Sequence, residues 1–225
     1  DSPDARGVDV AFYYRPDVFK LEGSAPIPFT MESLPNFRTR DVVTMWGTID
    51  GEPFYFMVAH WPSRLGGKEA SAPKRERAAE IMRHAADSVL AINPATKVVM
   101  MGDFNDDATD KSITEVLGAE GNIRKLQPGG YYNPFIDMLK AGIGSLAYRD
   151  QRNLFDNIVV SENLATGSTA QAGACPQGEI LRQYFPCPLS VPAGRPVQGL
   201  PAAYVRGQQF PGGIQRPPSR IHLHR

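Results

Sequence analysis

The sequence of 225 residues predicts a layered α/β sandwich. Three observations predict it: a β-hairpin within residues 42–59, an amphipathic helix over 72–90, and a short strand at 97–101 that is apolar on both faces. A hydrophobic fraction of 42% and a net charge of zero argue against a disordered chain. No apolar run approaches the roughly 20 residues that a transmembrane helix needs.

The first elements in chain order are strands. Residues 7–14 alternate well enough to predict one, which ends at Pro16. Val42–Ile49 and Pro53–Ala59 flank the dipeptide Asp50-Gly51. An Asp-Gly pair between β-rich runs is a strong hairpin signal, because glycine accepts the positive φ of a type I′ turn.

A helix is predicted next, over Ala72–Leu90. Ser71 is its predicted N-cap, Pro73 lies near its first position, and Asn93 marks its end. Small and apolar side chains recur at helical spacing along one face of this segment. The remaining predicted strands are the central one at residues 97–101 and another at 154–160.

Polar side chains stand at the ends of these strands or within them. His60 follows the hairpin, Asp103 and Asn105 follow the central strand, and Asp156 lies in an apolar run. Strand-end loops commonly carry catalytic groups, and a buried aspartate needs a partner. Each residue also has an ordinary structural interpretation: a hydrogen-bonded histidine, an Asx turn, or a carboxylate that caps backbone groups.

Four stretches taken together resemble the endonuclease/exonuclease/phosphatase family, the DNase I-like metal-dependent phosphodiesterases. The most specific is Gly-Asp-Phe-Asn directly after an apolar strand, with a strand-end histidine upstream. The resemblance implies an incomplete four-layer α/β/β/α sandwich with its site at one edge of the two sheets. It assigns residues 1–170 to a partial domain of this family. The four stretches are residues 1–11, 60–64, 98–106 and 148–156.

The resemblance also implies roles for individual residues in hydrolysis of a phosphodiester or phosphomonoester. His60 would donate to the phosphoryl oxygen, and Asp103 would orient or deprotonate the attacking water. Asn105 would hold a phosphate oxygen or that water, and Asp156 would orient the family's final histidine. Arg64 and Asn105 are the predicted substrate-binding residues. Mg²⁺ or Mn²⁺ is the implied cofactor, and nucleic acid is among the candidate substrates.

The sequence departs from the family pattern at both ends. The segment that carries an asparagine and the main metal-binding glutamate is missing, so the metal ligands stay unassigned. The closing Ser-Asp-His motif is missing too. We therefore expect a fragment with impaired activity, because the groups that anchor the cation and assist the attack are not in the sequence.

Residues 171–225 form an atypical tail with one acid, Glu179, against six arginines, and with no aspartate or lysine. Suitable codons for residues 213–224, read one base later, encode GYSDHPPVYIY, which contains the missing motif. We therefore expect a single-base frameshift near residues 169–175 and a poorly ordered tail. Inspection of the coding DNA tests this expectation.

Two other function classes stay open from the sequence. One is a non-catalytic sandwich module that binds a partner through its strand-end loops. The other is a nucleic-acid binder with a basic tail, whose binding would weaken with salt. Trp61 and the Tyr131-Tyr132 pair could stack on bases, but we interpret them as packing residues.

Overall fold

The computed structural model describes residues 3–4, 6–148 and 151–167, which all belong to one compact unit. The tail of residues 171–225, with its predicted frameshift, lies outside the described residues. Within the described part of the chain, no helix has both the length and the apolar character to cross a membrane.

Seven strands form one mixed sheet in the order β1-β2-β3-β4-β9-β6-β5. The pair β3–β4 is parallel, whereas β9 runs antiparallel to β4 on its other side. Strands β7 and β8 form a separate two-stranded hairpin. The strands are β1 (Phe19–Ile27), β2 (Val42–Ile49), β3 (Glu52–His60), β4 (Lys97–Asp103), β5 (Ala119–Glu120), β6 (Tyr131–Tyr132), β7 (Leu146–Tyr148), β8 (Gln151–Asn153) and β9 (Asp156–Ser161).

The helices are α1 (Lys68–Ile92), α2 (Phe135–Lys140) and α3 (Glu162–Thr166). A π-helical turn at Ser112–Val116 and a 3-10 turn at Ile123–Lys125 lie between β4 and β6. Helix α1 is the crossover that joins the parallel strands β3 and β4, a connection that parallel neighbours require.

Two predictions for these elements are confirmed. Asp50 and Gly51 both have positive φ, 51° and 81°, as the type I′ hairpin turn demands. Strand β4 is the fourth of the seven strands and is buried along most of its length, as a central strand should be.

Two predictions for these elements are wrong, one about the existence of a strand and one about a helix boundary. Residues 7–14 form no strand. Phe12 in this segment packs edge-on against Phe56, so its apolar side chain contacts the sheet although its backbone does not pair with a strand. Helix α1 begins at Lys68, and its N-cap is Gly67 rather than Ser71. The extra turn is held because the Ser71 hydroxyl donates to the Gly67 carbonyl at 2.6 Å.

Each face of the large sheet carries its own apolar cluster. One packs against α1 and includes Met57, Met100 and Met82. The other lies on the opposite face and includes Phe54 and Val160. The mixed α/β class is therefore confirmed, and among the described residues it consists of one large sheet with its helices and a separate two-stranded sheet.

Candidate active site

The pairing of three strands brings three predicted site residues side by side. His60 at the end of β3 lies opposite Asp103 at the end of β4, and Asp103 lies opposite Asp156 at the start of β9. Residues directly opposite in neighbouring strands project from the same face of a sheet. His60 Nε2 lies 3.5 Å from Asp103 Oδ2, and these side chains are 31% and 37% exposed. Asp156 is exposed as well, so all three residues are accessible to a ligand.

Glycine at position 102 makes the close pairing of β3 and β4 possible. Gly102 has a φ of 139°, and a Cβ built on it would lie 1.9 Å from the carbonyl oxygen of Ala59. No side chain larger than hydrogen fits against that carbonyl without moving the strand. Gly102 therefore sets the position of the neighbouring Asp103.

Asn105 is held in a left-handed conformation, with a φ of 51°. Its backbone N–H donates to Asp103 Oδ1 at 2.9 Å, and its side-chain Nδ2 donates to the Trp61 carbonyl at 2.9 Å. The first of these bonds is the Asx turn that was the structural alternative for this motif. The turn also fixes the Asp103 carboxylate and ties Asn105 to the loop after His60.

The electrostatic environment shifts the two titratable partners in opposite directions. Burial raises the pKa of Asp103, and the charge of Asp156 adds to this rise, while the Asn105 N–H partly offsets it. Burial also lowers the pKa of His60, helped by the positive charge of Arg40 and opposed by Asp103. The site thus favours a neutral imidazole beside a carboxyl group that binds protons more readily than usual.

Arg40 is a buried residue of this site that sequence reasoning missed. Its side chain is 3% exposed and its Nη1 lies 2.6 Å from Asp4 Oδ2. It donates to the His60 carbonyl from Nε at 3.1 Å and from Nη2 at 3.0 Å, and to the Trp61 carbonyl at 3.1 Å. Arg40 therefore fixes the backbone that carries His60. Twenty residues separate it from His60, and no local sequence pattern links the two.

Asp4 in turn holds the exposed Arg6. Asp4 accepts bonds from the Arg6 backbone N–H at 2.8 Å and from its guanidinium at 3.2 and 3.1 Å. These bonds, with the charge of Arg40, hold the pKa of Asp4 well below its usual range. The Arg6 side chain is 62% exposed, and its charge contributes to lowering the pKa of His60. Arg6 thus places an exposed cation near the histidine.

Arg64 was expected to bind substrate, but its guanidinium already contacts the protein. Nε donates to the Asn105 carbonyl at 2.8 Å, and Nη2 donates to Asp110 at 2.7 Å. The group also lies 4.3 Å from the ring centre of Phe155. Arg64 therefore lies at the edge of the site, and none of these contacts involves His60 or Asp103.

The aromatic residues support the packing interpretation. Trp61 is 1% exposed and stacks on Phe104 with ring centres 4.2 Å apart. Tyr131 is buried, and its hydroxyl donates to Asp87 at 2.7 Å. Neither ring offers a free face of the kind that base stacking uses.

The described residues contain no cluster of three or more His, Cys, Asp or Glu side chains arranged to hold a metal ion. Asp103 and Asp156 nevertheless provide two carboxylates on one face, close enough for the charge of Asp156 to raise the pKa of Asp103. Protein-bound Mg²⁺ often uses one or two carboxylates together with water and substrate phosphate. The donor set therefore fits a hard divalent cation.

Comparison of the sequence with known families shows the class of protein to which this mixed α/β fold belongs. A model described as the Endonuclease/Exonuclease/phosphatase family matches residues 1–224. The chain belongs to this family, which confirms the resemblance inferred from the sequence. No curated protein matches the chain.

Among solved structures, the chain is similar to truncated Caenorhabditis elegans TDP2, with a TM-score of 0.45 and 16% identity over 64% of this chain and 53% of that one. It is similar to D. rerio TDP2 complexed with a single-strand DNA product, with a TM-score of 0.44 and 18% identity over 65% and 55%. For the mannosyl-6-phosphatase of Bacteroides thetaiotaomicron the TM-score is 0.40 and the identity 19% over 66% and 55%. The chain spans about half the length of each of these three proteins.

Proposed function

We propose that the protein hydrolyses a phosphodiester or phosphomonoester with a water molecule activated at the ends of β3, β4 and β9. The observation that carries the proposal is the alignment of His60, Asp103 and Asp156 on one sheet face. An imidazole and two carboxylates at one exposed edge provide the donor and acceptor groups that such an attack needs.

In this mechanism Asp103 orients the attacking water and accepts its proton. A raised pKa suits that role, because a general base works best when its pKa lies nearer the working pH. The Asn105 N–H holds one oxygen of Asp103, which leaves Oδ2 on the side of His60. The imidazole of His60 donates to a phosphoryl oxygen as negative charge develops there.

We further propose dependence on Mg²⁺ or Mn²⁺, with Asp156 among the residues that would hold the cation, while Asp103 stays free to accept the proton. A divalent cation at such a site neutralises charge on the phosphate. Asp156 is also the residue to which the family resemblance assigns the orientation of a final histidine, and that role stays a prediction.

Arg6 is the proposed contact for a substrate phosphate. Arg6 and Arg40 both pair with Asp4, and Arg40 donates to the His60 carbonyl. The guanidinium of Arg6 is the exposed group of this network. Asp4 fixes the side chain through Nε and Nη2, and among the described residues Nη1 makes no hydrogen bond. A guanidinium held in this way can bind a phosphate with little further loss of side-chain freedom.

The test is a hydrolysis assay with bis(para-nitrophenyl) phosphate, para-nitrophenyl phosphate and a single-stranded oligonucleotide, each with Mg²⁺, with Mn²⁺ and with EDTA. We expect cation-dependent turnover that Asp103→Asn lowers by about 10²- to 10⁴-fold. Asp137→Asn on α2 is the matched control, because that carboxylate is exposed and pairs with Lys140.

Turnover that resists EDTA would contradict the proposed metal dependence. Equal loss of activity in both aspartate variants would contradict the role of Asp103. Slow turnover with the expected metal and Asp103 dependence would agree with the predicted impairment of this chain. Absence of turnover on all three substrates would favour the non-catalytic binding module.

A further inference from the structure

Three aspartates surround the guanidinium of Arg64 and form what we call the aspartate socket: Asp106, Asp107 and Asp110. Their carboxylate oxygens lie 3.2, 3.4 and 2.7 Å from Arg64 Nη2. Bidentate or multiple contacts of this kind suit the planar, permanently charged guanidinium better than they suit an ammonium group.

The socket is balanced in charge. Lys68 Nζ lies 2.6 Å from Asp110, and Arg75 Nε lies 2.7 Å from Asp106 in an ion pair rather than a directed hydrogen bond. The Arg75 and Asp106 side chains are 0% and 4% exposed. Three bases thus face three acids, so the socket is a closed structural unit rather than a vacant cation site.

The same unit connects three strand ends. Arg64 follows β3, and the socket follows β4. Asp107 reaches the segment before β9, where its Oδ1 accepts the Leu154 N–H at 2.8 Å and its Oδ2 accepts Asn153 Nδ2 at 2.7 Å. These three strand ends are the ones that carry His60, Asp103 and Asp156.

Arg64 also acts directly on the backbone of Asn105. A left-handed conformation costs a residue other than glycine on the order of 1 kcal/mol, so surrounding contacts must hold it. The bond from Arg64 Nε to the Asn105 carbonyl is one of three that do so, together with those to Asp103 and Trp61.

We propose that Arg64 is a positioning residue, which fixes Asn105 and the start of β9 relative to Asp103 through the aspartate socket and does not contact substrate. The proposal rests on the phosphoester hydrolysis proposed above and replaces the expectation that Arg64 binds the substrate. A positioning residue affects how well the reacting groups are aligned, whereas a binding residue affects substrate affinity.

The test compares Arg64→Lys and Asp110→Asn with the wild type, using bis(para-nitrophenyl) phosphate and the preferred cation. We expect Arg64→Lys to lower kcat about 10- to 100-fold and to leave KM within about twofold. Asp110→Asn should shift kcat in the same direction, because it removes a charge partner of Arg64 without removing the guanidinium. Arg77→Lys on α1 is the matched control; that arginine bonds the Thr30 carbonyl and Glu80.

Amide hydrogen exchange provides a readout that needs no activity. In both variants the Asn105 and Leu154 N–H groups should exchange faster, while helix α1 stays protected as in the wild type. Loss of protection throughout the protein would overturn the proposal, because it would show a general structural role.

The kinetic outcomes are equally distinct. A KM raised tenfold with kcat unchanged in Arg64→Lys would show direct substrate binding and overturn the proposal, as would unchanged kinetics. If the wild type hydrolyses none of the substrates, the proposed function fails. The exchange measurement then still decides whether Arg64 holds Asn105: faster exchange supports the positioning contact and unchanged exchange overturns it.

Discussion

Arg6 and Arg64 are two arginines near one site that the structure uses differently. Arg6 is 62% exposed and one carboxylate holds it, whereas Arg64 is 21% exposed and contacts three. We predict that Arg6→Gln raises KM for bis(para-nitrophenyl) phosphate about 5- to 10-fold and leaves kcat nearly unchanged. The loss of one charge-assisted contact to phosphate accounts for that size of effect. Steady-state kinetics over a range of substrate concentrations measure it.

The control for this prediction is Arg77→Gln, which removes an exposed arginine from helix α1 and should leave KM unchanged. Higher salt should raise KM of the wild type more than KM of Arg6→Gln, since salt screens exposed charges. A fall in kcat at constant KM in Arg6→Gln would show that Arg6 acts on alignment and not on binding.

The site residues that could be predicted from the sequence are those that lie next to the end of a strand. His60, Asp103, Asn105 and Asp156 each adjoin an apolar run, and apolar runs can be recognised in a sequence. Arg40 and Asp4 could not be found in this way. Their contacts depend on the course of segments without regular structure, which no periodicity describes.

At the scale of elements, the close contact of β3 and β4 depends on a single glycine. We predict that Gly102→Ala lowers the free energy of unfolding by about 3 kcal/mol, because the new Cβ would overlap the Ala59 carbonyl in a packed sheet. Urea unfolding followed by circular dichroism measures the change. Activity should fall further than the folded fraction does, since Asp103 moves with its strand.

Comparison with Gly51→Ala separates the effect of the steric clash at position 102 from the effect of backbone strain. Gly51 also has a positive φ, 81°, but a Cβ there would meet no atom within 4 Å. Its substitution should cost only about 1 kcal/mol, the strain of a left-handed alanine. Similar losses in both variants would mean that the contact with Ala59 relaxes and that β3 and β4 tolerate a wider separation.

Elements were predicted correctly where the conformational preferences of a few adjacent residues specify them. The Asp50-Gly51 turn specifies the β2–β3 hairpin through conformational preferences that act within two residues. The start of α1 was missed because its first turn is stabilised by side-chain bonds to backbone carbonyls, which the apolar periodicity does not show; Arg75, for example, donates to the Lys68 carbonyl at 2.9 Å. Residues 7–14 alternate like a strand, but a strand also needs a neighbour for its hydrogen bonds.

At the scale of the whole molecule, the candidate site lies where the sheet has different surroundings on its two faces. Helix α1 covers one face, and the site residues project from the other, on which Phe54 and Val160 also lie. The sequence could predict a layered α/β arrangement from alternating elements. It could not predict the order of β9, β6 and β5, because short strands such as Tyr131–Tyr132 carry almost no periodic signal.

The site should also affect how the stability of the whole molecule depends on pH. The pKa of His60 is lower in the folded protein than its ordinary value of 6.5, because of burial and the charge of Arg40. The unfolded chain therefore binds more protons at this residue, and folding stability falls as the pH drops through 6.5.

We predict that the stability advantage of the wild type over His60→Asn shrinks between pH 8 and about pH 5.5, measured by urea unfolding in EDTA. Ser88→Ala on α1 is the matched control; it removes an exposed hydroxyl that does not titrate and should show a constant difference from the wild type. An advantage that grows on acidification would mean that Asp103 stabilises a protonated His60, which would reverse the assignment of a neutral imidazole.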